Sequence, residues 1–327
     1  MDHSTPGSAL RDTLNGQTRI SALTLDSEGR LWVANPNEST AYLHVRQSDG
    51  TWQSFADAGV GNAVPRDLTV DNNGQIWIIL GNNIRIFDPL EDQERLLAPS
   101  SRESNIPGSR VLSFALDLEG QMWVGTNEGV TVFPSTFDIL NRGSAVTPIF
   151  EQRPLLRNES INTIAIDGGN RKWIGTPNGL WLFSADGSEL VHHFTEDNSP
   201  LISNQILDLA IDPRSGEVFI ATDEGILSYR GTATVGTRTH QNVKVFPNPV
   251  RPDFDGLVGI SGLVEGANVK ITDASGRLFY ETRAEGGTAA WDLRDYNGVR
   301  AATGVYLIFS TNFDGTETLA TKVAIIE

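Results

Sequence analysis

One sequence pattern recurs five times in this chain of 327 residues. Each copy has an apolar stretch that ends in Asp, a short turn rich in Gly or Asn, and a second stretch that carries an aromatic residue. The Asp and aromatic pairs are Asp26 and Trp32, Asp71 and Trp77, Asp117 and Trp123, Asp167 and Trp173, and Asp212 and Phe219. Successive aromatic residues lie 45, 46, 50 and 46 residues apart. A fixed period of this length is the mark of a repeat architecture.

Each copy predicts a blade of four β-strands. The apolar residues one and three positions before each Asp share a face, because side chains alternate along a strand. The Asp and the Gly or Asn that follow favour a hairpin turn. Third strands are predicted near residues 130–133 and 180–183, and fourth strands near 51–55 and 191–194. Four strands per 45 residues are typical of a β-propeller. A solenoid of shorter repeats fits less well, and the apolar period of two excludes helical repeats.

The sequence changes character after the fifth copy. Residues 231–240 are rich in Gly and Thr and have no apolar period, which predicts a linker. Seven short apolar segments then follow within residues 244–326, typical of an immunoglobulin-like β-sandwich. We therefore predict an all-β protein with an N-terminal lead-in (1–19), propeller blades (20–231), a linker (232–242) and a β-sandwich domain (243–327).

The composition limits the partners. The formal net charge is −16, and −13 of it precedes Val243. An acidic repeat domain argues against nucleic acid, which is bound through Lys and Arg, and it suits a protein outside the cell. There are no cysteines, so disulfides and thiolate metal sites are excluded. No apolar run approaches the ~20 residues of a membrane helix, so no transmembrane segment is expected.

No sequence motif indicates an enzyme, a metal site or a cofactor. The chain lacks a Gly-x-Ser-x-Gly elbow, a His-Glu-x-x-His pair and a phosphate loop. The Asp turns could offer oxygen ligands to calcium, with Asp71 the best candidate, but each turn supplies too few ligands, which favours a structural role. His192 and His193 are adjacent on a predicted strand and so point to opposite faces. We predict no catalytic residue, no metal and no cofactor.

The aromatic residues separate into two classes. The four tryptophans and Phe219 that follow the Asp turns keep a fixed register, which predicts that they belong to the core of the blades. Trp52 and Trp181 lie outside this register, so they are predicted to be exposed and are the candidates for ligand contacts.

The repeat resembles a known family. The sequence from Asp167 through Trp173-Ile-Gly-Thr-Pro-Asn-Gly-Leu180 resembles the two-component regulator propeller repeat, and the resemblance extends over residues 20–230. This type of repeat usually closes a propeller with seven blades. The resemblance therefore implies a larger propeller, with further blades and an export signal expected upstream. Closure with five blades is the alternative.

The C-terminal region carries a second resemblance. Pro247-Asn248-Pro249, Trp291-Asp292 and Gly304-Val-Tyr306 are similar to the C-terminal sorting domain of type IX secretion. Propeller and tail together resemble the PorZ-like family of type IX secretion surface components. The resemblance implies a non-enzymatic protein on the extracellular face of the outer membrane. It also implies binding to a sortase-containing attachment complex and to anionic lipopolysaccharide.

Two other functions are consistent with these features. One is a secreted type IX cargo protein whose propeller binds or degrades a polysaccharide and whose tail is a cleavable sorting signal. The other is the sensor half of a receptor, which is disfavoured because a membrane helix should then follow the propeller. Cleavage of the tail distinguishes cargo from a surface component.

Overall fold

The computed structural model describes residues 3–13, 15–36, 42–55, 64–99, 101–312 and 314–326. These residues form β-strands and turns, and none of them lies in a helix. The predicted all-β class is confirmed.

Five consecutive antiparallel sheets correspond to the five repeats, and within each the strands are adjacent in chain order. The first contains β1 (Ala22–Leu25), β2 (Leu31–Ala34), β3 (Leu43–Arg46) and β4 (Trp52–Phe55). The second contains β5 (Pro65–Val70), β6 (Ile76–Leu80), β7 (Asn83–Asp88) and β8 (Gln93–Leu97). The third contains β9 (Val111–Leu116), β10 (Met122–Thr126) and β11 (Gly129–Phe133), and the small hairpin of β12 (Ile149–Phe150) and β13 (Arg153–Pro154) follows it.

The last two sheets complete the blades. The fourth contains β14 (Thr163–Ile166), β15 (Lys172–Thr176), β16 (Gly179–Phe183) and β17 (Leu190–Phe194). The fifth contains β18 (Ile206–Asp212), β19 (Glu217–Thr222) and β20 (Ile226–Arg230). The sheets of the third and fifth blades thus have three strands. In the third blade Val146 forms an isolated bridge with Val132 at the position of a fourth strand.

Aromatic side chains join consecutive blades. Trp32 stacks on Phe55 within the first blade, with ring centroids 5.4 Å apart. Phe55 contacts the edge of Phe87 in the second blade at 5.3 Å, and Trp77 of the second blade contacts Phe133 of the third at 5.5 Å. Such pairs contribute about 0.5–1.5 kcal/mol beyond the burial of their area. The core of the first three blades therefore lies between their facing sheets.

The first and fifth blades each have one exposed apolar face. On β1, Leu23 and Leu25 are 62% and 65% exposed. On the fifth blade, Phe219 and Ile226 are 43% and 77% exposed, and they share a face because Phe219 pairs with Ser228 and Ala221 pairs with Ile226. These faces have the composition of blade-to-blade surfaces but remain in contact with solvent.

The C-terminal module consists of two antiparallel sheets. One contains β21 (Lys244–Phe246), β22 (Val258–Ser261) and β25 (Thr288–Trp291) in that order. The other has the order β24 (Leu278–Arg283), β23 (Asn268–Thr272), β26 (Gly304–Thr311) and β27 (Glu317–Ile325). Inward residues of both sheets contribute to one hydrophobic core, among them Val258 and Trp291 from the first and Ile271 and Ile308 from the second.

Contacts divide the chain into two compact units. The first comprises the described residues up to Ile164 together with Ile174–Asp208. The second comprises Ala165–Trp173 and the described residues from Leu209 onward. The Asp167 turn of the fourth blade thus belongs with the C-terminal module. The domain boundaries given by the sequence remain predictions.

Candidate functional site

A single carboxylate organises the turn in each of the first four blades. Oδ1 of Asp71 accepts hydrogen bonds from the backbone N–H groups of Asn73 (2.9 Å) and Gln75 (3.0 Å). Its Oδ2 accepts one from the indole Nε1–H of Trp77 (2.9 Å). The same three contacts recur at Asp26, Asp117 and Asp167. Both carboxylate oxygens are therefore used to hold the hairpin and the tryptophan.

The fifth repeat departs from this pattern, and the prediction that Phe219 is a core residue is wrong. The Trp lies six positions after the Asp in the first four repeats, but Phe219 lies seven positions after Asp212. Because side chains alternate along a strand, the additional residue turns Phe219 to the opposite face. Val218 is buried in its place. Asp212 instead accepts hydrogen bonds within its own turn, from the backbone N–H of Arg214 (3.0 Å) and the hydroxyl of Ser215 (2.7 Å).

The two tryptophans predicted to be exposed are both half-buried. Trp52 lies on β4 opposite Arg46. Trp181 stacks on His193, with ring centroids 3.4 Å apart and an interplanar angle of 11°, and its indole N–H donates to the hydroxyl of Thr176 (3.3 Å). One face of Trp181 is thus occupied by the protein itself, and its role in ligand binding stays a prediction.

The sequence pattern alone did not single out a further position, which lies on the first strand of each blade, four residues before the turn Asp. The five residues at this position, which we call the ring, are Ala22, Asp67, Ser113, Thr163 and Asp208. The hydroxyl of Ser113 donates to the carbonyl of Ile161 (3.0 Å), and that of Thr163 donates to the carboxylate of Asp208 (3.1 Å). The repeat register contains this signal, because the position is polar in four of the five copies.

Asp67 is the residue in this ring whose ionisation is most altered. Burial, with a smaller contribution from the nearby carboxylate of Asp208, raises the pKa of Asp67 to about 6, although the backbone N–H of Leu68 and the guanidinium of Arg66 lower it. At neutral pH the ring therefore holds carboxylate charge that is poorly solvated. Such a site favours cations and hydrogen-bond donors and repels anions.

Side chains on or directly before the first strands also connect the second to fifth blades in succession. Arg66 donates to the carbonyl of Val111 (2.8 Å), and the side-chain amide of Asn162 donates to the carbonyl of Ile206 (2.7 Å). Ser113 makes the equivalent bond between the third and fourth blades. The accepting carbonyls occupy the same position in three successive repeats. These bonds hold the first strands side by side and fix the positions of the ring residues.

The motif at the start of the C-terminal module secures its last strand. The side-chain carbonyl of Asn248 accepts from the backbone N–H of Ala324 (3.1 Å), and its amide donates to the carbonyl of Lys322 (3.1 Å). Val250 continues this pairing with backbone hydrogen bonds to Ala324 and Ile326. The side chain of Asn248 therefore pairs with β27 as the backbone of a neighbouring strand would. Asn248 lies between the half-buried Pro247 and the exposed Pro249.

The other motif residues of this module belong to its core or its turns. Trp291 and Tyr306 are buried, and their ring centroids lie 5.5 Å apart. The ring centroid of Phe279 lies 5.8 Å from that of Trp291 and 5.2 Å from that of Tyr306. The indole of Trp291 donates to the carbonyl of Arg294, and the hydroxyl of Tyr306 to that of Ala302. Asp292 is exposed and accepts from the backbone N–H of Arg294 (3.0 Å). Gly304 opens β26, and nothing in its surroundings requires glycine.

Residues of the segment predicted as a linker form hydrogen bonds with residues that precede it and residues that follow it in the sequence. Gly287 donates to the carbonyl of Thr234 (2.8 Å), and Val235 donates to that of Pro213 (2.8 Å). The hydroxyls of Thr234 and Thr288 share a hydrogen bond of 2.6 Å, and the guanidinium of Arg171 donates to the hydroxyl of Thr232 (3.1 Å). These residues, which we call the junction, connect the turns of the last two blades to the C-terminal module.

Among the described residues, no group of three or more His, Asp or Glu side chains is placed to hold a metal ion. His192 and His193 pair with Leu182 and Trp181 and so point to opposite faces of the sheet. In the same part of the chain there is no helix long and apolar enough to cross a membrane.

The structure is similar to solved structures of propeller proteins. PorZ from Porphyromonas gingivalis, a surface component of the type IX secretion system, matches 99% of this chain at 27% sequence identity and a TM-score of 0.65. The extracellular domain of the hybrid two-component system BT3049 from B. thetaiotaomicron matches 97% of the chain at 12% identity and a TM-score of 0.52, which shows the fold alone.

Each of these matches includes less than half of the neighbouring chain. The chain spans 47% of the PorZ chain and 45% of the BT3049 chain. Virginiamycin B lyase from Staphylococcus aureus, an enzyme, is matched with a TM-score of only 0.42, which is too low to bear on activity. No protein-family model matches the chain, and no curated protein does. From the repeats to the C-terminal module, the chain is PorZ-like in fold.

Proposed function

We propose that this protein is a non-enzymatic surface component of a type IX secretion system, similar in role to PorZ. The observation that carries the proposal is the match to PorZ, which includes the repeats and the C-terminal module in one alignment over 99% of the chain. Either part alone is a less specific feature, because propellers carry many functions. The extracellular face of the outer membrane is the corresponding location.

The junction supports a C-terminal module that stays attached. A cleavable sorting signal needs an accessible segment before it, because proteases cut exposed, mobile chain. Here the residues before the module are held by backbone hydrogen bonds from Gly287 and Val235, and Ala233 is buried. We therefore infer that the module is retained, in a protein whose partners are the proteins of a sortase-containing attachment complex.

Charge guides where anionic lipopolysaccharide would bind. Of the net charge of −16, only −3 lies from Val243 onward. The acidic blades, with Asp67 and Asp208 on their first strands, repel a polyanion. We therefore assign contact with lipopolysaccharide to the C-terminal module and contact with proteins to the blades.

The test uses the protein from its native cell envelope. Intact mass should include every residue up to Glu327, and affinity purification should recover a sortase-type protein with it. A mass that ends within residues 231–242 would instead identify exported cargo with a removed signal, and the proposal would fail. A retained tail without any attachment-complex protein would leave the module in place but refute the assigned partner.

A further inference from the structure

A groove lies along the outer part of the third blade, within the first compact unit. Its volume is about 230 Å³. It is bordered by the first turn of the blade, by β10 and β11, by the segment after β11 and by the outer turn of the fourth blade. Its lining includes Glu119, Trp123, Pro134, Val146, Pro148 and Asp186.

The walls of this groove are fixed by short-range contacts. Val132 and Val146 exchange two backbone hydrogen bonds, of 2.7 and 2.8 Å. The indole of Trp123 is held by Asp117 (3.0 Å). Gly187 in the outer turn of the fourth blade lies so close to Trp123 that a Cβ atom there would stand 3.0 Å from the ring. The groove is therefore built from ordered backbone and a fixed aromatic ring.

The chemistry of the lining has two parts. Val146 is 55% exposed, and together with the prolines it presents an apolar surface. The ionisable lining residues are Glu119 and Asp186, both exposed carboxylates. Hydrogen bonds from Ser184 and Ser188 lower the pKa of Asp186, so it is charged at neutral pH. The lining includes no Lys or Arg.

We propose that this groove binds a segment of a partner protein that presents an Arg or Lys side chain beside an apolar one. The cation faces Glu119 and Asp186, and the apolar side chain packs between Val146 and the prolines. The volume is below the ~300–1,000 Å³ of small-molecule sites, so it suits one or two side chains. Complementary charge gives such a contact its specificity. The inference does not depend on the proposed role in secretion.

The test is a titration of the ¹⁵N-labelled full chain with capped tetrapeptides, followed by NMR. The probe is Gly-Arg-Val-Gly, and the comparison peptides are Gly-Glu-Val-Gly and Gly-Arg-Ser-Gly. We expect the probe to shift the indole N–H signal of Trp123 in a saturable manner, and the two comparison peptides to bind several-fold more weakly.

Variants separate the two halves of the groove. Glu119→Gln should weaken binding of the probe about threefold, as expected for the loss of one exposed ion pair, and Val146→Ser should reduce the preference for Val over Ser in the peptide. The matched controls are Glu91→Gln and Leu90→Ser, exposed residues outside the groove, and they should leave binding unchanged. Spectral dispersion shows that each variant is folded.

Other outcomes would overturn the proposal. They are the absence of a shift at Trp123, equal binding of the three peptides, or an equal loss in the Glu91→Gln control. Binding that favours Gly-Glu-Val-Gly would show that the charge assignment is inverted and would refute it as well.

Discussion

At the scale of single residues, the turn carboxylates couple the hairpin to the core. Asp71 is buried and accepts three hydrogen bonds, two from its own turn and one from Trp77. The tryptophan in turn lies against Phe133 of the following blade. Because a buried acceptor that loses its donor costs about 1–3 kcal/mol, Asp71 links the stability of its turn to packing between the second and third blades.

A double-mutant cycle tests this coupling. Asp71→Asn keeps an oxygen for the two backbone donors but sets an amide N–H₂ against the indole N–H. We expect it to lower the free energy of unfolding by about 1–3 kcal/mol. In a Trp77→Phe background the additional loss should be much smaller, because the opposing donor is gone. Urea unfolding of the four proteins measures the coupling, and additive effects would show that the contact contributes little.

Asp67 makes a prediction about pH. Its pKa is raised to about 6 in the folded protein, against ~3.9 in an unfolded chain. The folded state thus binds this proton more tightly, so stability falls as pH rises from about 4 to 6 and stays lower above that. Asp67→Asn should raise the free energy of unfolding by about 1–2 kcal/mol at pH 7 and change it little at pH 4.

The control for this measurement is Asp197→Asn, an exposed carboxylate in the same compact unit. It should show no difference between the two pH values. A stabilisation by Asp67→Asn that is equal at pH 4 and pH 7 would contradict the assignment of the raised pKa.

At the scale of strands and sheets, one inserted residue has the largest local effect. The turn between Asp212 and Phe219 is one residue longer than in the other repeats, and this exchanges the two faces of β19, so that Val218 and Ile220 are buried. The exposed face that results carries Phe219 and Ile226. Leu23 and Leu25 on β1 are exposed in the same way. Clustered exposed apolar residues of this kind favour association.

These two faces predict association at high concentration. Replacing Leu25 and Ile226 with Glu should reduce the fraction of associated protein several-fold, because each change sets a charge in an apolar face. Leu90→Glu is the control, since Leu90 is 89% exposed, lies in a turn of the second blade and belongs to neither face. Sedimentation velocity over a range of concentrations measures the fraction of associated protein. A protein that stays monomeric before mutation would contradict the prediction.

The positions of the strands could be predicted from the sequence more fully than the contacts of individual side chains. The strands of the blades followed from alternation and turn residues, because both act over a few neighbouring positions. The exposure of Phe219 required counting the turn, which the aromatic spacing of 46 residues conceals. The bonds of Asn248 to the last strand join residues 74 and 76 positions apart. No local pattern contains such partners, so the motif was recognised without its physical reason.

At the scale of the whole molecule, the proposed function depends on the junction. Ala165–Trp173 and the residues from Leu209 onward form one compact unit, so the Asp167 turn and the C-terminal module make contacts of their own. Gly286, with φ +61°, lies at their meeting point, where a Cβ atom would stand 2.0 Å from the carbonyl oxygen of Thr234 and 2.2 Å from that of Gly168. No other residue fits there without displacement of the backbone.

Gly286→Ala should therefore loosen the junction. We expect trypsin to cut after Arg230 or Arg238 about tenfold faster, which corresponds to ~1.4 kcal/mol of local stability. The matched control is Gly276→Ala, since Gly276 has a similar φ of +88° but no atom within 4 Å of an added Cβ. Both variants bear the strain of a left-handed backbone, so a difference between them reports the junction alone.

The result decides whether the tail is held by structure. Slow cleavage of the native protein and of Gly276→Ala, with fast cleavage of Gly286→Ala, would mean that the packing around Gly286 protects residues 231–242. A native protein cut there as fast as Gly286→Ala would mean that the segment is accessible despite its hydrogen bonds. The argument for a retained module would then lose its physical basis, and a removable signal would become the better explanation.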